Sequence, residues 1–154
     1  MHDKIASRIN NIYWKQQLST PKGIFFEDWD NLIILDGCRF YMFKQVNDIH
    51  GDLIKRVSKA SWTPGFLRHN LENRDLSDVV YITANPIYAA DKWYQGDIRD
   101  NFHDIVDVWK EHWDESAGTV QPQTMARKTL DAYNQFPNKR IIAHFIQPHI
   151  PFIG

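Results

Sequence analysis

Asn31-Leu32-Ile33-Ile34-Leu35-Asp36-Gly37-Cys38-Arg39 is the stretch that decides the fold. Four aliphatic residues in a row, without polar alternation, predict a short strand buried on both faces, as strands of a parallel sheet are. Met42, Phe43, Val46 and Ile49 follow at helical spacing, and Gly51 closes the strand-then-helix unit. Working outward, Lys59-Ala-Ser-Trp-Thr-Pro64 opens a second unit with Phe66, Leu67 and Leu71 on a short helix. Asp78–Thr83 reads as the second strand, ended by Ala84-Asn85-Pro86, and residues 86–100 read as irregular. Asp104–Trp109 is a third strand candidate. Pro122 opens a helix carrying Met125, Thr129, Ala132, Tyr133 and Phe136, since proline suits a first helical turn. Asn138–Ile146 is the last strand, and it runs into Gln147-Pro-His-Ile-Pro-Phe152, where two prolines stop regular structure. Upstream, Ile5, Ile9, Ile12 and Gln16 predict an amphipathic helix over 3–18, broken at Pro21-Lys22-Gly23. Strands alternating with helices imply an α/β fold, a mainly parallel sheet with helices on both faces, in one domain over residues 1–154.

Bulk composition removes several function classes. The 18 basic and 19 acidic residues give a net charge of −1 and are spread along the chain, which is not the basic footprint of a nucleic-acid binder. A single cysteine, Cys38, excludes an internal disulfide and a cysteine-built zinc cage, and it fits a reducing compartment. No apolar leader segment is readable at the start, and the longest aliphatic run falls far short of the ~20 residues of a membrane helix. The expected location is the cytoplasm, with no membrane contact. No Gly-x-Gly-x-x-Gly follows a strand, which discounts a dinucleotide-binding domain.

Ligands of open parallel sheets bind outside the carboxyl ends of the strands. Asp36, Thr83, Asn85 and His149 fall there, and Lys59–Thr63 reaches the same rim from its loop. An acid straight after an aliphatic run needs compensation, from a cation or from backbone donors. A hard divalent cation accepts such a carboxylate; equally, Asp36 reads as the cap of a helix starting near Arg39. Cys38 reads as a reactive thiolate or, by default, as a small buried apolar group. Arg39 offers forked donors to an oxyanion, or pairs with an acid. His144 reads as a satisfied core histidine. His149, braced between prolines, is suited to hold an anionic oxygen or donate a proton. Trp62, Trp93, Trp109 and Trp113 read as pocket lining or, by default, as packing.

Three segments together resemble the alkaline phosphatase superfamily, in particular its sulfatase-like branch. Leu-Ile-Ile-Leu-Asp36-Gly-Cys-Arg39 is similar to the first metal-binding strand, Ser61-Trp-Thr-Pro64 to the nucleophile segment, and His144-Phe-Ile-Gln-Pro-His149-Ile-Pro-Phe152 to the His-x-Pro-Phe segment. Val-Tyr-Ile-Thr-Ala-Asn-Pro86 and the stretch from Trp109 to Val120 look like an uncharacterised prokaryotic group of sulfatase-like proteins. The resemblance implies a divalent metal (Mg, Ca, Mn or Zn) on Asp36 and Thr63. It makes Thr63 the nucleophile, with Ser61 its rival, and puts His149 on the phosphate or sulfate group with Arg39 in support. It implies a metal-dependent hydrolase or transferase acting on a small anionic sulfate or phosphate ester. Gly37 stands where many sulfatases carry a second acid, and no Cys/Ser-x-Pro-x-Arg signature is present. The resemblance covers about the first half of a full-length relative, so the expectation is a truncated form, inactive alone, or one completed by a homo-oligomer or a complementing chain. The other expectation is a non-catalytic sulfatase-like domain that binds an anionic ligand or a partner protein.

Overall fold

The computed structural model describes residues 23–71, 74–89 and 98–153. The helix expected over 3–18, Trp93 and part of the irregular stretch lie outside the described residues. The elements follow as β1 (Asn31–Leu35), α1 (Phe40–Val46), α2 (Thr63–Leu71), β2 (Leu76–Thr83), β3 (Phe102–Asp107), α3 (Val108–His112), β4 (Trp113–Asp114), β5 (Thr119–Val120), α4 (Pro122–Gln135) and β6 (Arg140–Phe145). Short 3-10 turns occupy Ile24–Phe26, Pro86–Ala89 and Ile98–Asn101. The main sheet has the order β1-β6-β2-β3, and every pair in it is parallel. The chain is α/β, as its alternation of strands and helices requires.

β2 carries the core because its side chains feed both faces. Val79 and Tyr81 join Phe25, Leu67, Leu71 and Ile142 on the α2 side. Val80 and Ile82 join Val120, Met125, Ala132, Ile141 and Ala143 on the α4 side. All four of these β2 residues are fully buried, and each such side chain stabilises the fold by about 1.5–3 kcal/mol relative to exposure. β6 is sandwiched in the same way, so the two central strands are the ones buried on both faces.

β1 departs from the expected burial. It is one of the two sheet edges among the described residues: Leu32 and Ile34 pack on the α2-side core, while Ile33 points the other way and is 64% exposed. An aliphatic run therefore identifies the strand and its parallel pairing without identifying its place in the sheet. The third strand ends two residues early, because the chain turns into α3 at Val108 and carries Trp109 onto that helix. The antiparallel pair β4–β5 is a feature the sequence pattern did not announce. Its turn is built on Asp114, whose carboxylate accepts from Ser116 N, Ser116 Oγ and Ala117 N, and on Gly118 at φ +64°.

Asn70 ties the α2 layer to the segment before β1. Its Oδ1 accepts from Phe25 N at 3.3 Å and its Nδ2 donates to Phe66 O at 2.8 Å, with the residue almost fully buried. Gly23 is required beside it, since a Cβ there would lie 2.3 Å from Asn70 Oδ1. Asn70→Ala leaves Phe25 N without its acceptor, a loss of about 1–3 kcal/mol. Urea unfolding checks this; an unchanged midpoint would show that the contact contributes nothing.

Candidate active site

Parallel pairing delivers Asp36 to the rim. Asp36 N donates to Phe145 O at 3.2 Å, extending the β1–β6 ladder by one residue and setting the carboxylate beside His144. The chain then turns at Gly37, which has φ +70°; a Cβ there would come into contact with His149, whose Cβ and Cδ2 would stand 3.4 Å away. The glycine in place of a second acid thus has a physical reason. It also locates His149: the residue packs on the neighbour of Asp36, at the same rim.

Two elements donate to one oxygen of Asp36, and a third brings a ring nitrogen near it. Thr63, the first residue of α2, donates from Oγ1 to Oδ2 at 2.8 Å. Asn85, just past β2, donates from Nδ2 to the same Oδ2 at 3.0 Å. Its amide orientation is set by Ile87 N, which donates to Asn85 Oδ1 at 3.0 Å, while Thr83 Oγ1 accepts from Asn85 N at 3.0 Å. His144 Nε2 stands 3.9 Å from Oδ2, too far for a hydrogen bond. Oδ1 carries no hydrogen bond among the described residues, and no lysine or arginine among them pairs with Asp36. Asp107, the acid ending β3, is the contrast: Arg99 at 2.5 Å, Lys110 at 2.6 Å and the Tyr88 hydroxyl take it up. Asp36 is not a helix cap, because Arg39 occupies the cap position of α1 and no side chain caps that turn.

His144 is a core histidine with a second neighbour at the rim. Only 1% of it is exposed, and Tyr81 Oη lies 2.6 Å from Nδ1. Burial pushes its pKa down from 6.5 to about 4, with the Asp36 charge pulling it upward, so the ring is neutral at pH 7. Burial also pushes the Cys38 thiol up, which favours its apolar role over thiolate chemistry.

These groups line one cavity of about 860 Å3, with Asp36, Arg39, Thr63, Asn85, His144 and His149 among its walls. Trp62, Trp113 and Ile150 line it too, each partly exposed, whereas Trp109 packs against the α4-side core. Ser61 lines the cavity as well, but it is Thr63 that contacts the carboxylate. His149 Nδ1 is 2.9 Å from Ile150 O, so this nitrogen acts as the donor and Nε2 is left as the basic one. Asn85 falls at a position the strand-end rule marks, yet only the folded chain reveals its bond to Asp36. Among the described residues no three His, Cys, Asp or Glu side chains gather as a metal-binding group. No helix among them is long and apolar enough to cross a membrane.

The depressed pKa of His144 makes stability depend on pH with a definite sign. The unfolded chain takes up the proton first, so the contribution is complete above about pH 6.5 and declines as pH falls toward 4. Urea midpoints should drop across that window in the wild type and flatten in His144→Gln; identical slopes would contradict the assignment. No protein-family model, no curated protein and no solved structure matches this chain.

Proposed function

We propose that this rim cavity is the reaction site of a metal-dependent hydrolase or transferase acting on a sulfate or phosphate ester of the sulfatase-like type. One observation carries the reading. Asp36 is a carboxylate that faces a cavity, lacks a cationic side-chain partner among the described residues, and hydrogen-bonds a hydroxyl at 2.8 Å. A nucleophile within hydrogen-bond reach of a base is the arrangement covalent catalysis needs.

The donor chemistry fits a hard cation. Asp36 Oδ1 and Thr63 Oγ1 are oxygen ligands of the kind Mg, Ca or Mn prefer, and no thiolate is at hand to favour a soft metal. Two protein oxygens are fewer than such an ion takes, so water, the substrate or a complementing chain supplies the others. When bound, the cation would neutralise charge building on the transferred group. The chain's own residues do the rest. Asp36 Oδ2 accepts the Thr63 proton as the hydroxyl oxygen bonds to the phosphorus or sulfur centre and the bond to the ester's organic oxygen breaks, that oxygen leaving as an alcohol with a proton from water. Arg39, with its planar fork, faces the anionic oxygens, and His149 donates to them from Nε2 when its ring is protonated. Trp62, Trp113 and Ile150 offer apolar surface to the organic part of the ester. A reducing, cytoplasmic setting suits the lone Cys38.

Calorimetric titration with Mg, Ca, Mn and Zn, with turnover of aryl phosphate and aryl sulfate, tests the reading. Metal binding lost in Asp36→Ala supports it. Thr63→Ala should lower turnover on the order of a thousand-fold or more, with Thr63→Ser partly active. Absence of metal binding by the wild type would count against it.

A second reading is favoured by the β1 edge. Ile33 on β1 and Tyr41, Val46 and Ile49 on and after α1 are all more than 60% exposed, apolar surface that suits a non-catalytic domain covering itself with a partner protein. Sedimentation separates the two: this reading expects association, and a clean monomer with metal-dependent turnover overturns it.

A further inference from the structure

We propose that His144 is a positioning residue for Asp36: Tyr81 holds the buried imidazole in its Nε2–H tautomer, and that N–H, directed at Oδ2 across 3.9 Å, favours the carboxylate orientation in which Oδ1 faces the cavity. The inference rests on the reading of Asp36 as the cation-holding group, and it gives that group a specific orienting partner.

Tyr81 Oη lies 2.6 Å from Nδ1 of His144, and Asp36 Oδ2 lies 3.9 Å from its Nε2. A neutral imidazole carries one N–H, and its partners decide where. With the proton on Nδ1, the Nε2 lone pair would point at a carboxylate inside a site where such repulsion is poorly screened. With the proton on Nε2, the Tyr81 hydroxyl donates to Nδ1 and the N–H dipole points at Oδ2. Only the second arrangement bonds Tyr81 and also turns a positive dipole, rather than a lone pair, toward the carboxylate. It also separates orientation from ligation, because a protonated Nε2 has no lone pair for a metal.

The surroundings make the arrangement rigid. Tyr81 is fully buried, stacked on Phe102 with ring centroids 5.1 Å apart, and edge-on to Tyr88 at 6.1 Å. His144 is locked by the pairing of β6 with β1 and β2, where it stands opposite Ile34 and Thr83. Thr63, Asn85 and His144 then approach Oδ2 from α2, the β2 end and β6, leaving the other oxygen for the cavity. Partners of this kind behind a metal-holding side chain typically change affinity 10–100-fold when removed.

Nitrogen-15 NMR of the imidazole in the full chain reads the tautomer directly. Protonated Nε2 and unprotonated Nδ1, with or without Mn or Mg, is the expected result. Protonated Nδ1 in the metal-free protein, or loss of the Nε2 proton on adding the cation, overturns the proposal. His144→Gln, which keeps a donor near the Nε2 position, should retain Mg or Mn affinity within a few-fold, while His144→Phe should lose about 10–100-fold. Tyr81→Phe keeps the ring and the packing; it should mix the tautomers and shift the Asn85 side-chain amide resonance, which reports on Oδ2 without any cation. An unmoved Asn85 signal in both Tyr81→Phe and His144→Phe overturns the positioning role. A wild-type chain that binds no cation but shows the Nε2–H tautomer and the Asn85 shift would overturn the function reading and leave the positioning role standing.

Discussion

A partly buried carboxylate at the end of an aliphatic strand is the constraint around which the rim is organised. Asp36 cannot sit there uncompensated, since a desolvated charge is costly unless donors surround it. The fold answers with Thr63 at the head of α2 and Asn85 at the end of β2, both on Oδ2, and with neutral His144 behind them. No basic side chain among the described residues completes the compensation. Asp107 is the contrast, an acid at a strand end that the same chain pairs with Arg99 and Lys110.

The parallel sheet brings these groups together. Strands β1, β2 and β6 run the same way, so their last residues and the loops behind them open on one rim although Asp36 and His149 are far apart in sequence. Gly37 then lets the chain turn with His149 packed against it. A side chain at residue 37 would meet both an unfavourable φ and the imidazole.

The strand-end rule and the aliphatic runs made much of this legible before folding. Asp36, Thr63 and His149, which the alternation of strands and helices puts at one rim, line one cavity. Other features are three-dimensional. The β1 edge position depends on which strand β6 inserts beside, which periodicity does not encode. β4–β5 is two residues per strand, too short for any pattern to register. Asn85 and Tyr81 acquire their roles only through contacts across 49 and 63 residues of chain. His144 reads as core in a linear sequence, and it is core; only its second neighbour gives it a further part.

Crystals of the chain grown with manganese, measured at the metal's absorption edge, test the central claim most directly. The account predicts an anomalous peak at roughly 2.0–2.6 Å from Asp36 Oδ1, the range of hard-cation oxygen bonds, with Thr63 Oγ1 turned onto the same ion. Manganese bound elsewhere, with the Asp36 carboxylate still held only by Thr63 and Asn85, would contradict it.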